Sequence, residues 1–266
     1  MNIFKAIRGD FMLPLERQNQ IIEILKSRRA ATVDELCRAL YSSGATVRRD
    51  LNLLEKDGLL KRTHGGAVLL EEGSHDTPMM LRENENISSK QLIAKRALPL
   101  IKDGQTIFLD SSSTCCVLAG ALSKFSNLRV ITNSLKSLNI LSSFPGVTAY
   151  CTGGRLNGRA LSLTGSAAVS FASRFHADMA FISCRGVDEE IGITETSEEE
   201  TAVKAAYVNK SDRTVLLFDE SKLGKKYFSK ICDFSDVSYF ICNKELPEKF
   251  KNREFNGEIA EVAGLK

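Results

Sequence analysis

"ATVRRDLNLLEKDGLLKRTHGG", residues 45–66, sets a leucine ladder beside paired arginines and runs into a basic stretch ending in Gly-Gly. Val47, Leu51 and Leu54 fall at i, i+4 and i+7 and so share one face of a helix, which leaves Ala45, Arg48, Arg49 and Asn52 on the other. Ser43 is placed to cap that helix and Gly58 to stop it. Beyond the stop, residues 59–63 and 67–70 read as a short hairpin turning around His64, Gly65 and Gly66, with Lys61 and Arg62 near the turn.

Working outward, residues 17–26 carry Ile21, Ile22 and Leu25 at helical spacing, in a helix entered through Pro14. The run Thr32-Val33-Asp34-Glu35 has the form of a capping box, opening a helix that buries Val33, Leu36 and Leu40 before a break at Tyr41-Ser42. Three short helices, the last with an arginine face, followed by a basic hairpin make a winged helix-turn-helix. An arginine on the outer face of the third helix is suited to donate two bonds to guanine in the major groove, and the wing's cations are suited to phosphate or the minor groove. The residues expected at DNA are Thr32, Ser43, Ala45, Thr46, Arg48, Arg49, Asn52, Lys61, Arg62, His64, Gly65 and Gly66.

Charge supports this division. Residues 13–68 hold ten Lys or Arg against seven Asp or Glu, whereas residues 69–266 hold 24 against 25, so the basic character of the chain sits in its N-terminal quarter. With 266 residues and 43% hydrophobic content, a sizeable core is available. No apolar run approaches a membrane span and the N-terminus lacks the apolar core of a signal peptide, which points to a cytoplasmic protein. Seven cysteines without a C-x-x-C pair fit a reduced compartment better than a disulfide framework or a structural zinc site. Cys115 and Cys116 read as packing residues, and no metal ligand set or cofactor is expected.

The stretches "ERQNQIIEIL", "TVDELCRAL", "ATVRRDL" and "EKDGLLKRTHGGAV" together resemble the N-terminal domain of the DeoR family of bacterial transcriptional regulators. By that resemblance residues 43–56 are the recognition helix and residues 61–66 the wing. Ser42 stands where the family usually has an apolar residue, and Gly44 where Glu or Pro is common. The expected organisation is a disordered extension over 1–12, with Met12 an alternative start to Met1, a DNA-binding domain over 13–70, a linker over 71–89 containing a solvated His75, and a second domain over 90–266.

In that second domain short apolar runs alternate with helical patterns. Strands are expected at 106–109, 129–132, 147–151, 179–183, 215–218 and 239–242, and helices at 90–100, 115–122, 135–142, 166–174 and 198–209. The expectation is a mainly parallel, Rossmann-like α/β sheet, whose ligands sit at the carboxyl ends of the strands. There Asp110 is followed by Ser111, Ser112, Ser113 and Thr114 at a helix start, a place that favours anions. Other strand ends supply Asn133, the run Gly153, Gly154 and Arg155, and the pair Asp219 and Lys222. Arg155 and Lys222 suit phosphate, while Asp110, Asn133 and Asp219 suit sugar hydroxyls. Gly186 and Gly192 permit tight turns, and of the acidic run 198–200, Glu200 is the candidate to face the pocket. His176 reads as packing or surface.

These segments are similar to the DeoR family's effector domain, whose fold is like that of ribose-phosphate isomerases. The resemblance implies a phosphorylated sugar or related metabolite as effector, usually relieving repression, and assembly into dimers or larger oligomers. Two classes of function follow: a ligand-controlled repressor of carbohydrate-metabolism genes that binds double-stranded operator DNA, and a sugar-phosphate isomerase carrying a fused DNA-binding domain. Isomerisation needs a general base at a defined substrate carbon. Asp110 and Glu200 are present without a spacing that singles either out, so no catalytic residue is assigned and the regulator is preferred.

Overall fold

A computed structural model describes residues 13–56, 58–69 and 78–246 of the chain, which divides between residues 77 and 78 into two units. The extension 1–12 and the stretch 70–77, including His75, lie outside the described residues.

In the first unit α1 (Pro14–Arg28) begins at the expected proline and extends beyond residues 17–26 at both ends. It leads into a three-residue strand, β1 (Ala30–Thr32), and then α2 (Val33–Leu40). The capping box at its start is complete: the Thr32 hydroxyl accepts from the Glu35 amide at 3.2 Å and the Glu35 carboxylate accepts from the Thr32 amide at 2.7 Å. Ahead of α3 (Gly44–Lys56), Ser43 Oγ accepts from the Thr46 amide at 3.2 Å, so the cap forms despite a glycine in the first helical turn. At the other end the amides of Gly58 and Leu59 reach back to the carbonyls of Glu55 and Leu54 at 2.8 and 2.9 Å, closing the helix.

The wing is β2 (Leu60–Thr63) and β3 (Gly66–Leu69), joined by His64 and Gly65. Strand β1 pairs along the other side of β3, giving an antiparallel sheet in the order β1-β3-β2. The ladder Val47, Leu51 and Leu54 is buried with Ile21, Ile22, Leu25, Leu36 and Leu60.

The second unit starts inside the expected linker. Residues 78–89 are not an extended connection: α4 (Met79–Arg82) and the first turn of α5 (Ile87–Ala97) occupy them. Burial of Met79 and Leu81 holds α4 in place, and the Met79 amide donates to the Arg159 carbonyl at 2.8 Å. The chain then runs through β4 (Thr106–Leu109), α6 (Ser113–Gly120), β5 (Leu128–Thr132), α7 (Leu135–Leu141) and β6 (Val147–Cys151). A small hairpin follows, β7 (Arg155–Asn157) and β8 (Ser162–Thr164), then α8 (Ser166–Ala172) and β9 (Ala177–Ile182). The remainder is β10 (Gly186–Asp188), β11 (Gly192–Glu195), α9 (Glu198–Asn209), β12 (Ser211–Phe218), β13 (Ser229–Cys232) and β14 (Tyr239–Cys242).

Six of these strands form one wholly parallel sheet in the order β14-β12-β9-β4-β5-β6. Taken in chain order they run 6-5-4-1-2-3, the doubly wound arrangement, whose direction reverses between β4 and β9. One face is packed by α5 and α6 through Ile93, Ala97, Cys115 and Leu118; the other is packed by α8 and α9 through Ala168, Ala172, Val203 and Tyr207. The Tyr207 ring stacks on Phe108 with centroids 4.5 Å apart. A second, antiparallel sheet in the order β10-β11-β13 lies outside the sequence expectation.

Candidate functional sites

Helix α3 presents Ala45, Arg48, Arg49 and Asn52 to solvent, as its apolar spacing requires. Ser43 is also exposed, its hydroxyl 2.9 Å from that of Thr46. Lys61, His64 and Gly65 of the wing are exposed as well. Other members of the expected DNA set have duties inside the domain. The Thr32 hydroxyl is engaged in the α2 cap, which includes a bond of 2.8 Å to the Glu35 carboxylate. Arg62 donates through its side chain to Asn52 Oδ1 and through its backbone amide to the Glu55 carboxylate at 2.8 Å, tying wing to helix. Gly66 is buried where β3 passes β1, and a Cβ there would lie 2.1 Å from the Ala31 carbonyl oxygen.

One residue of the helix escapes a reading by residue type. Asp50 is buried on the same face as Val47, Leu51 and Leu54, accepting from Arg17 Nε at 2.5 Å and from Gln18 at 3.2 Å. Its i+3 spacing from Val47 is the signal that places it inward. A charged bond across to α1 thereby fixes the angle at which α3 displays its arginines.

In the second unit the expected strand-end residues converge on the reversal point of the sheet. Asp110 follows β4 and accepts from two amides at 2.8 Å, that of Ser112 in its own loop and that of Ser183 after β9. Ser112 Oγ caps α6 through the Cys115 amide at 3.1 Å. Neither the Ser113 nor the Thr114 hydroxyl has a hydrogen-bond partner among the described residues, although both side chains are in the buried shell. Ser111 donates to Glu200 at 3.0 Å, and Ser162 of β8 donates to the other oxygen of the same carboxylate. Glu200 is therefore the inward member of the acidic run. Burial pushes its carboxyl up, against the pull of Lys204 and of the two serine hydroxyls.

Lys204 and Glu195 are the residues sequence reasoning missed. The Lys204 ammonium is 4% exposed; it donates to the Ser183 carbonyl at 3.0 Å and to Glu195, and stands 3.6 Å from Asp110. Burial opposes charge on both partners, yet Lys204, followed by Arg185, brings the Glu195 carboxyl down to about 2. Glu195, then Asp110 and Glu200, hold the Lys204 ammonium above the usual lysine range. A strand and a helix supply the pair, and only the fold brings them together.

The remaining expected residues fall around this network or outside it. Asn133 is buried at the end of β5, donating to the Leu163 carbonyl at 3.2 Å. Asp219 is buried and caps the short turn Glu220–Lys222 through the Ser221 amide at 2.9 Å; Lys222 is half-buried, and burial lowers its ammonium against the pull of Asp219. Gly153 is exposed, while Gly154 and Gly186 lie against backbone, where a Cβ would come within 2.5 Å of the Thr164 carbonyl oxygen and 2.3 Å of that of Lys225. Arg155 is directed away from the network: its exposed guanidinium forks onto Glu199, which also accepts from Thr164 at 3.0 Å. His176 pairs with Asp212 at 2.7 Å on the surface. Cys115 and Cys116 are buried, and burial pushes both thiols up. Among the described residues no group of three or more His, Cys, Asp or Glu side chains is placed to hold a metal ion, and no helix is long and apolar enough to cross a membrane.

A winged helix-turn-helix with an open arginine face, joined to a doubly wound domain with a polar network at its reversal point, defines a DNA-binding transcriptional regulator with an effector-sensing domain. Residues 17–73 match the DeoR-like helix-turn-helix domain and residues 85–244 the DeoR C terminal sensor domain; the chain belongs to the DeoR family. It is 37% identical over 254 residues to the HTH-type transcriptional regulator GolR of Listeria innocua serovar 6a, covering 94% of this chain and 100% of that one. It is 33% identical over 214 residues to the glycerol-3-phosphate regulon repressor of Escherichia coli K12, covering 80% and 84%. Among solved structures it is similar to ribose 5-phosphate isomerase A of Methanocaldococcus jannaschii, with 22% identity, a TM-score of 0.39 and coverage of 53% and 56%. Membership of this family makes the chain a transcriptional regulator, not an isomerase.

Proposed function

We propose that the protein represses carbohydrate-metabolism genes by binding operator DNA as a homodimer or larger assembly, and that a phosphorylated sugar bound at the reversal point of the sheet releases it. The observation that carries this reading is the cross-strand clamp of Asp110 on the amides of Ser112 and Ser183. It holds in place a loop with two unpartnered hydroxyls at the start of α6, beside a wall of buried acceptors. Such a loop offers amides and hydroxyls to phosphate, with Lys222 as the cation, and Asp110, Asn133, Glu200 and Asp219 offer acceptors to a polyol. The E. coli relative is a glycerol-3-phosphate regulon repressor and another, from E. coli O157:H7, is a putative aga operon transcriptional repressor; both names fit a repressor of this kind. Arg48 and Arg49 read bases in this scheme, and Lys61, with His64 and Gly65, meets the DNA backbone.

The test is a thermal-shift panel of phosphorylated sugars and their unphosphorylated counterparts, followed by fluorescence anisotropy on DNA from upstream of the gene. A phosphorylated sugar should raise the melting temperature and lower DNA affinity. Lys222→Ala should weaken the sugar phosphate by about 1.5 to 3 kcal/mol, the worth of a charge-assisted bond, and leave DNA affinity without effector unchanged. Equal binding of a sugar and its phosphate, or unaltered affinity in Lys222→Ala, rejects the assignment.

A further inference from the structure

Lys90 sits in the first turns of α5, apart from the residues proposed to bind effector, yet only 4% of it is exposed. Its ammonium donates to the carbonyl oxygens of Arg82, the last residue of α4, and of Glu85, the latter at 2.5 Å. Those two bonds fold the α4–α5 turn onto the side chain. Burial pushes the Lys90 ammonium down to about 8, with Glu85 and then Asp219 pulling the other way and Lys222 and Arg82 adding repulsion. Asp219 and Lys222 of the candidate phosphate turn are thus among the charges that act on it.

A chain of hydrogen bonds joins that turn to the start of α5. Asn243, just after β14, accepts from the Glu220 amide at 2.9 Å and donates to Ser89 Oγ at 3.2 Å. The turn Glu220–Lys222 is in this way attached to the residue before Lys90. Helix α4 is anchored further by Glu83, which pairs with Lys136 of α7, and by the bond of the Met79 amide to Arg159. Helix α4 is the first element of the sensor unit.

We infer that Lys90 is a positioning residue of the effector response: it makes the conformation of α4, the first element of the sensor unit, depend on the occupancy of the Asp219–Lys222 turn. This rests on the proposed phosphate site. An anion at Lys222 changes the charge facing Lys90, and the two carbonyl bonds carry that change to α4. A ligand shifts such an equilibrium only through its differential affinity for the two arrangements, and the cations at the turn provide the difference.

Hydrogen exchange of residues 79–86 in the full chain tests the inference, using inorganic phosphate and glycerol 3-phosphate as probes. Without any probe, Lys90→Met should raise exchange at residues 83–86 at least ten-fold, because the donor that orders the turn is gone. With the probe that binds wild type, wild type should show altered protection over residues 79–86. Lys90→Met should bind that probe within about three-fold of wild type and show no such alteration. Asn243→Ala, which breaks the other end of the connection, should behave likewise. A purely structural lysine would instead lose probe affinity, melting temperature and protection together, and that result overturns the inference. So does unchanged exchange at 83–86 in the probe-free variant. If neither probe binds wild type while the probe-free exchange rises as stated, the phosphate assignment fails separately and Lys90 keeps only its anchoring of α4.

Discussion

In the DNA-binding unit the cations proposed to meet DNA are in water: Arg48, Arg49 and Lys61 are exposed, and the core beneath them is a ladder of Val47, Leu51, Leu54 and their partners. In the sensor unit the charged groups are inside, with Asp110, Glu195, Glu200 and Lys204 each less than a tenth exposed and bonded to one another, to backbone or, for Glu200, to the hydroxyls of Ser111 and Ser162. The contrast follows from what each surface meets. DNA is a dense array of fixed phosphates, and long flexible cations adapt to it while salt screens them. A small effector offers few contacts, so the groups that meet it need geometry fixed beforehand by a surrounding polar network.

The largest effect expected from breaking this contrast is in the sensor unit. Lys204→Met leaves Asp110, Glu195 and Glu200 buried without their cation and should cost about 3 to 5 kcal/mol of stability in urea denaturation of the full chain at pH 7. Acid should narrow the gap. In wild type the Glu195 carboxyl is lowered from 4.5 to about 2, so its stabilisation is complete above pH 4.5 and is lost as pH falls towards 2. The variant keeps only the weaker pull of Arg185 on Glu195 and has less stabilisation to lose, so a deficit that stayed constant between pH 5 and 3 would contradict the pairing.

Next in size is Gly66→Ala in the wing. A Cβ placed 2.1 Å from the Ala31 carbonyl oxygen forces β1 and β3 apart, at about 3 kcal/mol. A melting temperature equal to wild type would show that the three-stranded sheet is not formed as described. Arg48→Ala and Arg49→Ala should leave stability within about 0.5 kcal/mol of wild type. Each should relax sequence preference by about 1 to 3 kcal/mol in competition anisotropy, whereas Lys61→Ala should weaken operator and scrambled DNA alike and lower the salt slope by about one. Equal, sequence-independent losses in all three variants would remove base reading from α3. The smallest effect is at Gly44, whose Cβ would be tight only against Arg48 Nη1, at 3.0 Å, the free end of a flexible side chain, with Cys37 Sγ at 4.0 Å. Gly44→Ala should stabilise the domain by about 0.5 to 1 kcal/mol. A destabilised variant would mean that the folded-back Arg48 cannot yield.

The regions differ as well in how far the sequence discloses them. Helix α3 was legible because Val47, Leu51 and Leu54 repeat at the helical period, and the Thr32 and Glu35 cap because both members lie in one turn. All six parallel strands were legible as apolar runs. The strands of the β10-β11-β13 sheet were not, since "GVD" and "GITE" are short and mixed, and β13 pairs with β11 across more than thirty residues. Helix α4 was lost in a polar stretch, as its two buried apolar residues are too few to show a period. Strand ends were located by position alone, which found Asp110 and Asn133, while Glu200 was marked by the acidic run at the start of α9. The same rule gave no means of finding Lys204, which lies in the middle of a helix and acquires its role from the Glu195 and Ser183 it faces.

The bond between Arg62 and Asn52, with the Arg62 amide on Glu55, has a consequence for the heat of binding. Wing and recognition helix are joined before DNA arrives, so their relative orientation and two long side chains are already ordered in the free domain. Freezing such a side chain at an interface costs about 0.5 to 1.5 kcal/mol, an entropy loss that here belongs to folding. In titration calorimetry, breaking this bond with Asn52→Ala should therefore make the entropy of DNA association less favourable, while the counterion release that fades as salt is added stays the same.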